Sequence, residues 1–372
     1  MEGALQSKCR LTNFGAFICP RNDLYGGGLA GTVHHRIQPK KKWVVCVSIC
    51  SKNLLGGTEI PAGPVFIPLS YGFGAFLSRF GAEEVRYDPD RLARAARWEC
   101  ELLSPDLLLI NPDPTILAES CGCSIQQVLP YRWQVTKSPL NDPDCWMDFP
   151  VEDPEQSRSF KALIEALPMV VETVKTPVAA LLPAPFTLAR QLAGASFLQA
   201  VETNDSAWQD LVDDCMFLIT DAVKLLLRQG SCGIAFHEDF SGIRSLSLSR
   251  LTEQYGTVFN VLRHHGWRCL YLIRGGSVES VPKLSHVDAI AGMILMDKRI
   301  REVRKMNRSD ADPVLGGSLG DEFWEQEGEA FTAALEEKRN TLADRSPLIF
   351  SPQIPASAKP ERVQALVKTI RR

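Results

Sequence analysis

Thr176-Pro-Val-Ala-Ala-Leu-Leu-Pro-Ala-Pro-Phe-Thr-Leu-Ala-Arg190 decides how this chain folds. Val178 to Leu182 is apolar at every position, so both faces of the strand it predicts must be covered, as in a parallel sheet wrapped by helices. Pro177 and Pro183 bound the run. Seven further short runs have the same character: Val65 to Leu69, Leu107 to Ile110, Gly233 to Phe236, Cys269 to Ile273, Ala289 to Ile294, Val314 to Gly316 and Leu348 to Phe350. The stretches between them carry apolar residues at i, i+3 and i+4, which predicts helices over Asp90 to Leu103, Ser157 to Thr173, Asp205 to Leu227, Ser249 to His264, Asp321 to Leu342 and Pro360 to Ile370. Eight strand-and-helix units joined by right-handed crossovers predict an α/β fold, a (β/α)8 TIM barrel, over residues 61–372. A doubly wound open sheet is the alternative. Residues 1–60 read as an N-terminal extension or lid, with the hinge-like Gly26-Gly27-Gly28 and the basic run Lys40-Lys41-Lys42 but few periodic apolar positions.

Composition narrows the class. Of 372 residues, 45% are hydrophobic and 23% charged, which excludes a wholly disordered or fibrous chain. Forty-one basic against 44 acidic residues leave a formal charge of -3, so no electrostatic footprint for nucleic acid or an anionic membrane is expected. No run approaches 18 apolar residues and no signal-peptide pattern opens the chain, so a cytoplasmic location is expected. Eleven scattered cysteines point to reduced thiols rather than a disulfide scaffold. Cys121-Gly-Cys123 is too tight for a CxxC redox turn or zinc knuckle. A small molecule is the expected partner.

Barrel enzymes place their chemistry at the C-terminal ends of the strands. Just past the second run stand Asn111 and Asp113, past the third Thr187, past the fifth Arg274, and past the eighth Gln353. The fourth run is followed by His237-Glu238-Asp239, three ionisable side chains in a row that burial penalises unless they pair or react. One carboxyl pushed up and one held ionised would divide acid and base roles, with His237 and Glu238 the favoured pair and Asp113 facing them. The structural alternatives are a helix cap or an ion pair to Arg244 for Glu238, and a Pro-flanked turn for Asp113. Arg274 suits a bidentate grip on a substrate carboxylate, or a salt bridge to the strand-four carboxylates.

Several segments, in order, resemble the uroporphyrinogen decarboxylase superfamily. Thr176-Pro-Val to Gly194 is similar to its PV…GPFTLA…G segment, and Asp113 through Gly122 has the spacing of FSDxxxxxxALG. His237-Glu-Asp-Phe-Ser-Gly resembles HEDM or FDSWAG, and Ser351-Pro-Gln-Ile-Pro with Lys359-Pro-Glu-Arg resembles SPGC…TPxEN. The resemblance runs from about residue 61 to 372. It implies a (β/α)8 barrel, puts Asp113 at the family's catalytic aspartate and, since family members often dimerise, implies a homodimer as the assembly.

Departures matter as much. The RQAGRY loop of the decarboxylases has no counterpart; Gln191 stands where they carry tyrosine, and Asp239 where FDSWAG has serine. The family's corrinoid and thiol methyltransferases hold zinc through an HxCG segment and the cysteine of SPGC, but here Leu272, Arg274 and Ile354 fall at those positions. No metal and no cofactor is therefore expected. The resulting expectation is a metal-independent decarboxylase-like lyase for a small anionic or polar metabolite. Its acid/base set is His237, Glu238, Asp239 and Asp113, and its substrate contacts are Arg274, Thr187, Gln191, Asn111 and Gln353. Methyl transfer and hydration or hydrolysis are the alternatives.

Overall fold

A computed structural model describes residues 65–148, 153–203, 205–243, 254–265, 267, 269–275, 290–296, 314–343 and 349–371. The expectations for residues 1–60, for Arg244 and for the start of the Ser249 helix lie outside the described residues. The strands are β1 (Val65–Phe66), β2 (Leu69–Tyr71), β3 (Leu108–Ile110), β4 (Ser124–Leu129), β5 (Arg132–Lys137), β6 (Val178–Pro183), β7 (Ile234–Phe240), β8 (Cys269–Gly275), β9 (Ile290–Leu295), β10 (Val314–Gly317), β11 (Ile349–Phe350) and β12 (Gln353–Pro355).

Eight of these form one parallel sheet in the order β1-β11-β10-β9-β8-β7-β6-β3. The two edges meet. Asp106 N donates to Phe66 O at 2.9 Å, and the Asp106 carboxylate accepts from Phe66 N at 2.7 Å, closing the (β/α)8 barrel. Arg371, beyond the last helix (Pro360–Ile370), forks onto both Asp106 oxygens at 3.0 and 3.1 Å and so ties the C-terminus to that seam. No helix among the described residues is long and apolar enough to cross a membrane.

Three corrections bear on the site. The first expected strand breaks at Pro68, which has no N–H for the ladder; the chain then leaves the sheet and β2 pairs in parallel with β12. Strands β7 and β8 run on through Phe240 and Gly275, so His237, Glu238, Asp239 and Arg274 lie within the strands rather than after them. Among the elements that join the expected set are the β4–β5 hairpin and the helix Pro185–Thr203, which begins two residues after β6 and kinks at Gly194 (φ 62°). The expected Asp321 helix is two pieces, Asp321–Trp324 and Gly328–Ala343.

Side chains of each strand sort by period two. Ala179, Leu181, Ala235, Leu270, Leu272 and Ile294 fill the barrel interior. Their neighbours Ala180, Leu182, Phe236, Tyr271 and Ile273 pack outward against the helices. That alternation, carried along β7 and β8, decides what the mouth of the barrel contains.

Candidate active site

Following Ala235 inward along β7 brings His237 and then Asp239 to the barrel mouth, while Glu238 shares the outward face with Phe236 and Phe240. The β7–β8 register sets Asp239 opposite Arg274, which follows Leu272 on the inward face of β8. His237, Asp239 and Arg274 line an open cavity of about 960 Å³. The helix Pro185–Thr203 supplies a second wall through Thr187, Arg190, Gln191 and Gly194, spaced as one helical face. Asp113 and Gln353 also reach this cavity, and the β4–β5 hairpin covers it with Val128, Leu129, Trp133 and Gln134.

His237 is buried, and its Nδ1 has no hydrogen-bond partner. Burial disfavours its imidazolium; Asp239 opposes that and Arg274 reinforces it, so its pKa falls to about 4. The ring is therefore neutral at neutral pH. Asp239 behaves oppositely. Burial works against its charge, but the Ser241 side chain and N–H and the Arg190 guanidinium outweigh it and hold the carboxyl below its ordinary range. Ser241 N donates to it at 2.8 Å, and Arg190 approaches at 3.6 Å while donating to the Asp239 and Ser241 carbonyls at 3.1 and 2.9 Å.

Glu238 is separated from the cavity. Fully buried, it accepts from Thr187 Oγ1 at 2.5 Å, Tyr255 Oη at 2.6 Å and Tyr271 Oη at 2.8 Å. Burial raises its pKa to about 7 against these donors. Thr187 Oγ1 also accepts Asp239 N at 2.8 Å, so Glu238 fixes the backbone from which Asp239 projects. At the mouth it is therefore His237 and Asp239, not His237 and Glu238, that line the cavity, and Glu238 lies behind them, bonded through Thr187 to the Asp239 backbone.

That placement has a stability consequence. A carboxyl ordinarily at 4.5 and raised to about 7 binds more protons folded than unfolded, so its contribution is complete below pH 4.5 and lost as pH rises through 7. The Glu238→Gln chain is expected to lack this loss. In urea unfolding between pH 5 and 8, its stability relative to the natural chain should rise by about 2–3 kcal/mol, since most of the interval between the ordinary carboxyl range and about 7 lies in that window. A difference independent of pH would show that Glu238 is ionised in both states.

Asp113 is buried and fully engaged: one oxygen accepts from Thr115 N at 2.9 Å and Thr115 Oγ1 at 2.7 Å, the other from Arg86. Both the Pro-flanked turn and an ion pair are therefore present. Arg86, itself buried, stacks its guanidinium on Trp133 of the hairpin at 4.7 Å, which links the helix Ala82–Tyr87 to the cavity cover. Gln191 donates to Pro114 O at 3.1 Å and leaves Oε1 buried and unpartnered. Gln353 bonds Ser318 Oγ weakly at 3.5 Å. Asn111 does not join them: it lines a smaller cavity alongside.

Arg86 and Arg190 are site-lining residues that the sequence reading did not name. Arg86 meets Asp113 only through tertiary packing, whereas the Thr187, Arg190, Gln191 spacing after Pro185 was a polar helical stripe that could have been found.

No three His, Cys, Asp or Glu side chains among the described residues group so as to hold a metal ion. Leu272 and Ile354, which fall at two zinc-ligand positions of the methyltransferases, are fully buried apolar residues, and Arg274 at the third is a cation; this set does not fit zinc.

The family model for uroporphyrinogen decarboxylase matches residues 75–372. Among solved structures, a methyltransferase from Methanosarcina mazei superposes with a TM-score of 0.71 at 17% identity, covering 88% of this chain and 98% of that one. A putative vitamin-B12 independent methionine synthase from Listeria monocytogenes gives 0.45 at 14% identity, covering 82% and 94%. No curated protein matches the sequence.

Proposed function

The chain belongs to the uroporphyrinogen decarboxylase family, whose members are enzymes, and from that premise we propose that it is a decarboxylating lyase acting on an anionic metabolite without a metal ion. One observation carries the reading: a buried His237 with a free ring nitrogen, on which burial disfavours charge, lines the cavity one inward position below Asp239, which stands opposite Arg274. Arg274 is exposed to the cavity and receives the anionic group of the substrate. A bound anion offsets the Arg274 charge and adds its own field, and both changes raise the His237 pKa from about 4. His237 takes up a proton as the substrate binds. When the bond from the substrate carbon to the departing carboxylate breaks, the electron pair stays on carbon, carbon dioxide leaves, and the imidazolium supplies the replacing proton. Asp239, held by Arg190 and Ser241, stabilises that imidazolium.

Calorimetry with a bound carboxylic acid at pH 6, in two buffers of different ionisation enthalpy, is expected to show uptake of up to about one proton per ligand, absent in His237→Ala. Turnover of the same acid in D2O should release carbon dioxide and place deuterium on the carbon that lost it. Binding without proton uptake, or methyl delivery to a thiol instead of carbon dioxide release, would overturn the reading.

A further inference from the structure

The helix Pro185–Thr203 shows the main cavity a graded stripe: Thr187, Arg190 and Gln191 are polar, and Gly194, Ala195 and Leu198, further along, are not. The polar half is tied to the reacting groups, since Thr187 Oγ1 accepts from Asp239 N at 2.8 Å and Arg190 approaches the Asp239 carboxylate at 3.6 Å. The apolar half is tied to the β4–β5 hairpin. Ser138, next after β5, donates from Oγ to Gln191 O at 2.8 Å, and a Cβ on Gly194 would lie 3.1 Å from the same Oγ. Trp133 and Val135, two apart on β5, and Val128 and Leu129, at the end of β4, add apolar lining to the same cavity. These surfaces are accessible: Val128 and Leu129 are 49% and 52% exposed, and Val135 and Leu198 are partly buried. Arg132 of the hairpin also lines the cavity, with its guanidinium laid over the Tyr71 ring at 4.2 Å. At about 960 Å³ the cavity is near the top of the ~300–1,000 Å³ range that encloses drug-sized ligands, far more room than a short acid fills.

We infer that the substrate is an amphipathic acid, whose carboxylate meets Arg274 and whose apolar arm runs out between Leu198 and the β4–β5 hairpin. Apolar walls give an arm no directional bond, so they select for length and for the absence of charge. Each methylene laid on Leu198, Val135 or Leu129 leaves water while the charged end keeps its partner, so a cavity with a polar floor and an apolar rim favours a ligand of the same two-part character. A short polar acid would leave that rim wet. A second charge on the arm would face Leu198 and Val135, which offer it nothing in place of water. The carboxylate end rests on the reading of Arg274 given above; the apolar arm does not.

Straight-chain carboxylates from butanoate to decanoate, titrated into the full chain below their aggregation concentrations and followed by calorimetry, are expected to bind about two- to fourfold more tightly with each added methylene. Primary alcohols of the same lengths should show the same increment at lower affinity, having no charge for Arg274. Leu198→Asn should flatten the increment. Leu129→Ser, at a half-exposed position, should reduce it too and serves if the first variant fails to fold. Affinity independent of chain length, or an increment unchanged in either folded variant, overturns the apolar arm. Alcohols that bind as tightly as the acids, with the increment intact, overturn the Arg274 reading alone.

Discussion

His237→Ala is expected to lower turnover by about 10²- to 10⁴-fold, the range of a positioned general acid, in a chain that keeps its fold. The reasons are local. His237 is the one imidazole on the cavity floor among the described residues, its Nδ1 makes no bond that the variant would break, and its neighbours Asp239 and Arg274 keep their own anchors on β7 and β8. The folded protein also disfavours charge on this ring. A histidine ordinarily at 6.5 and lowered to about 4 binds fewer protons folded than unfolded, so its contribution is present above pH 6.5 and lost as pH falls through 4. The variant should therefore be less sensitive to mild acid than the natural chain while losing activity at every pH. Steady-state kinetics alongside thermal unfolding at pH 5 and 7 tests both parts. Near-native turnover in a folded His237→Ala chain would remove the imidazole from the mechanism and leave it a buried structural histidine.

The second large effect falls on stability. Arg86→Ala is expected to cost about 3–5 kcal/mol, because it leaves Asp113 buried with an uncompensated charge and takes away the guanidinium stacked on Trp133. The stacking extends the damage to the β4–β5 hairpin, which should loosen over the cavity and raise KM along with the fall in Tm. Asp113→Asn should cost less than Arg86→Ala, since the amide still offers an oxygen to Thr115. The two losses should not add in the double variant, since the bond removed is shared. Urea unfolding of the two single variants and the double variant gives the coupling directly. Additive losses would show that the ion pair has no energetic role and that Arg86 acts through packing alone.

The division of labour between Glu238 and Asp239 shows where local reading stops. The sequence places three ionisable residues at a strand end and calls for a pair of carboxyls with separated pKa values. That separation is present, but the raised group lies behind the wall and the lowered one in the cavity. A strand three residues longer than its apolar run suggests accounts for this. The run ends at Phe236 because polar residues follow, yet the ladder continues to Phe240, since hydrogen bonding to β8 depends on backbone and not on side-chain polarity. Period two then assigns the faces.

What the sequence determined by itself was the barrel and the strands whose C-terminal parts carry the candidate site residues. Apolar runs without alternation demand cover on both faces, and eight of them separated by helical stretches leave few ways to supply it. Leu107 to Ile110, Val178 to Leu182 and Cys269 to Ile273 are strands for that reason. Tertiary structure alone decided which polar groups meet. Arg86 reaches Asp113 across 27 positions, Thr187 reaches Glu238 across 51, and the β4–β5 hairpin folds Trp133 over the mouth. Such meetings depend on loop paths and helix orientation, and these are settled by the packing of the whole chain, because no local stretch gains enough from its own contacts to specify them.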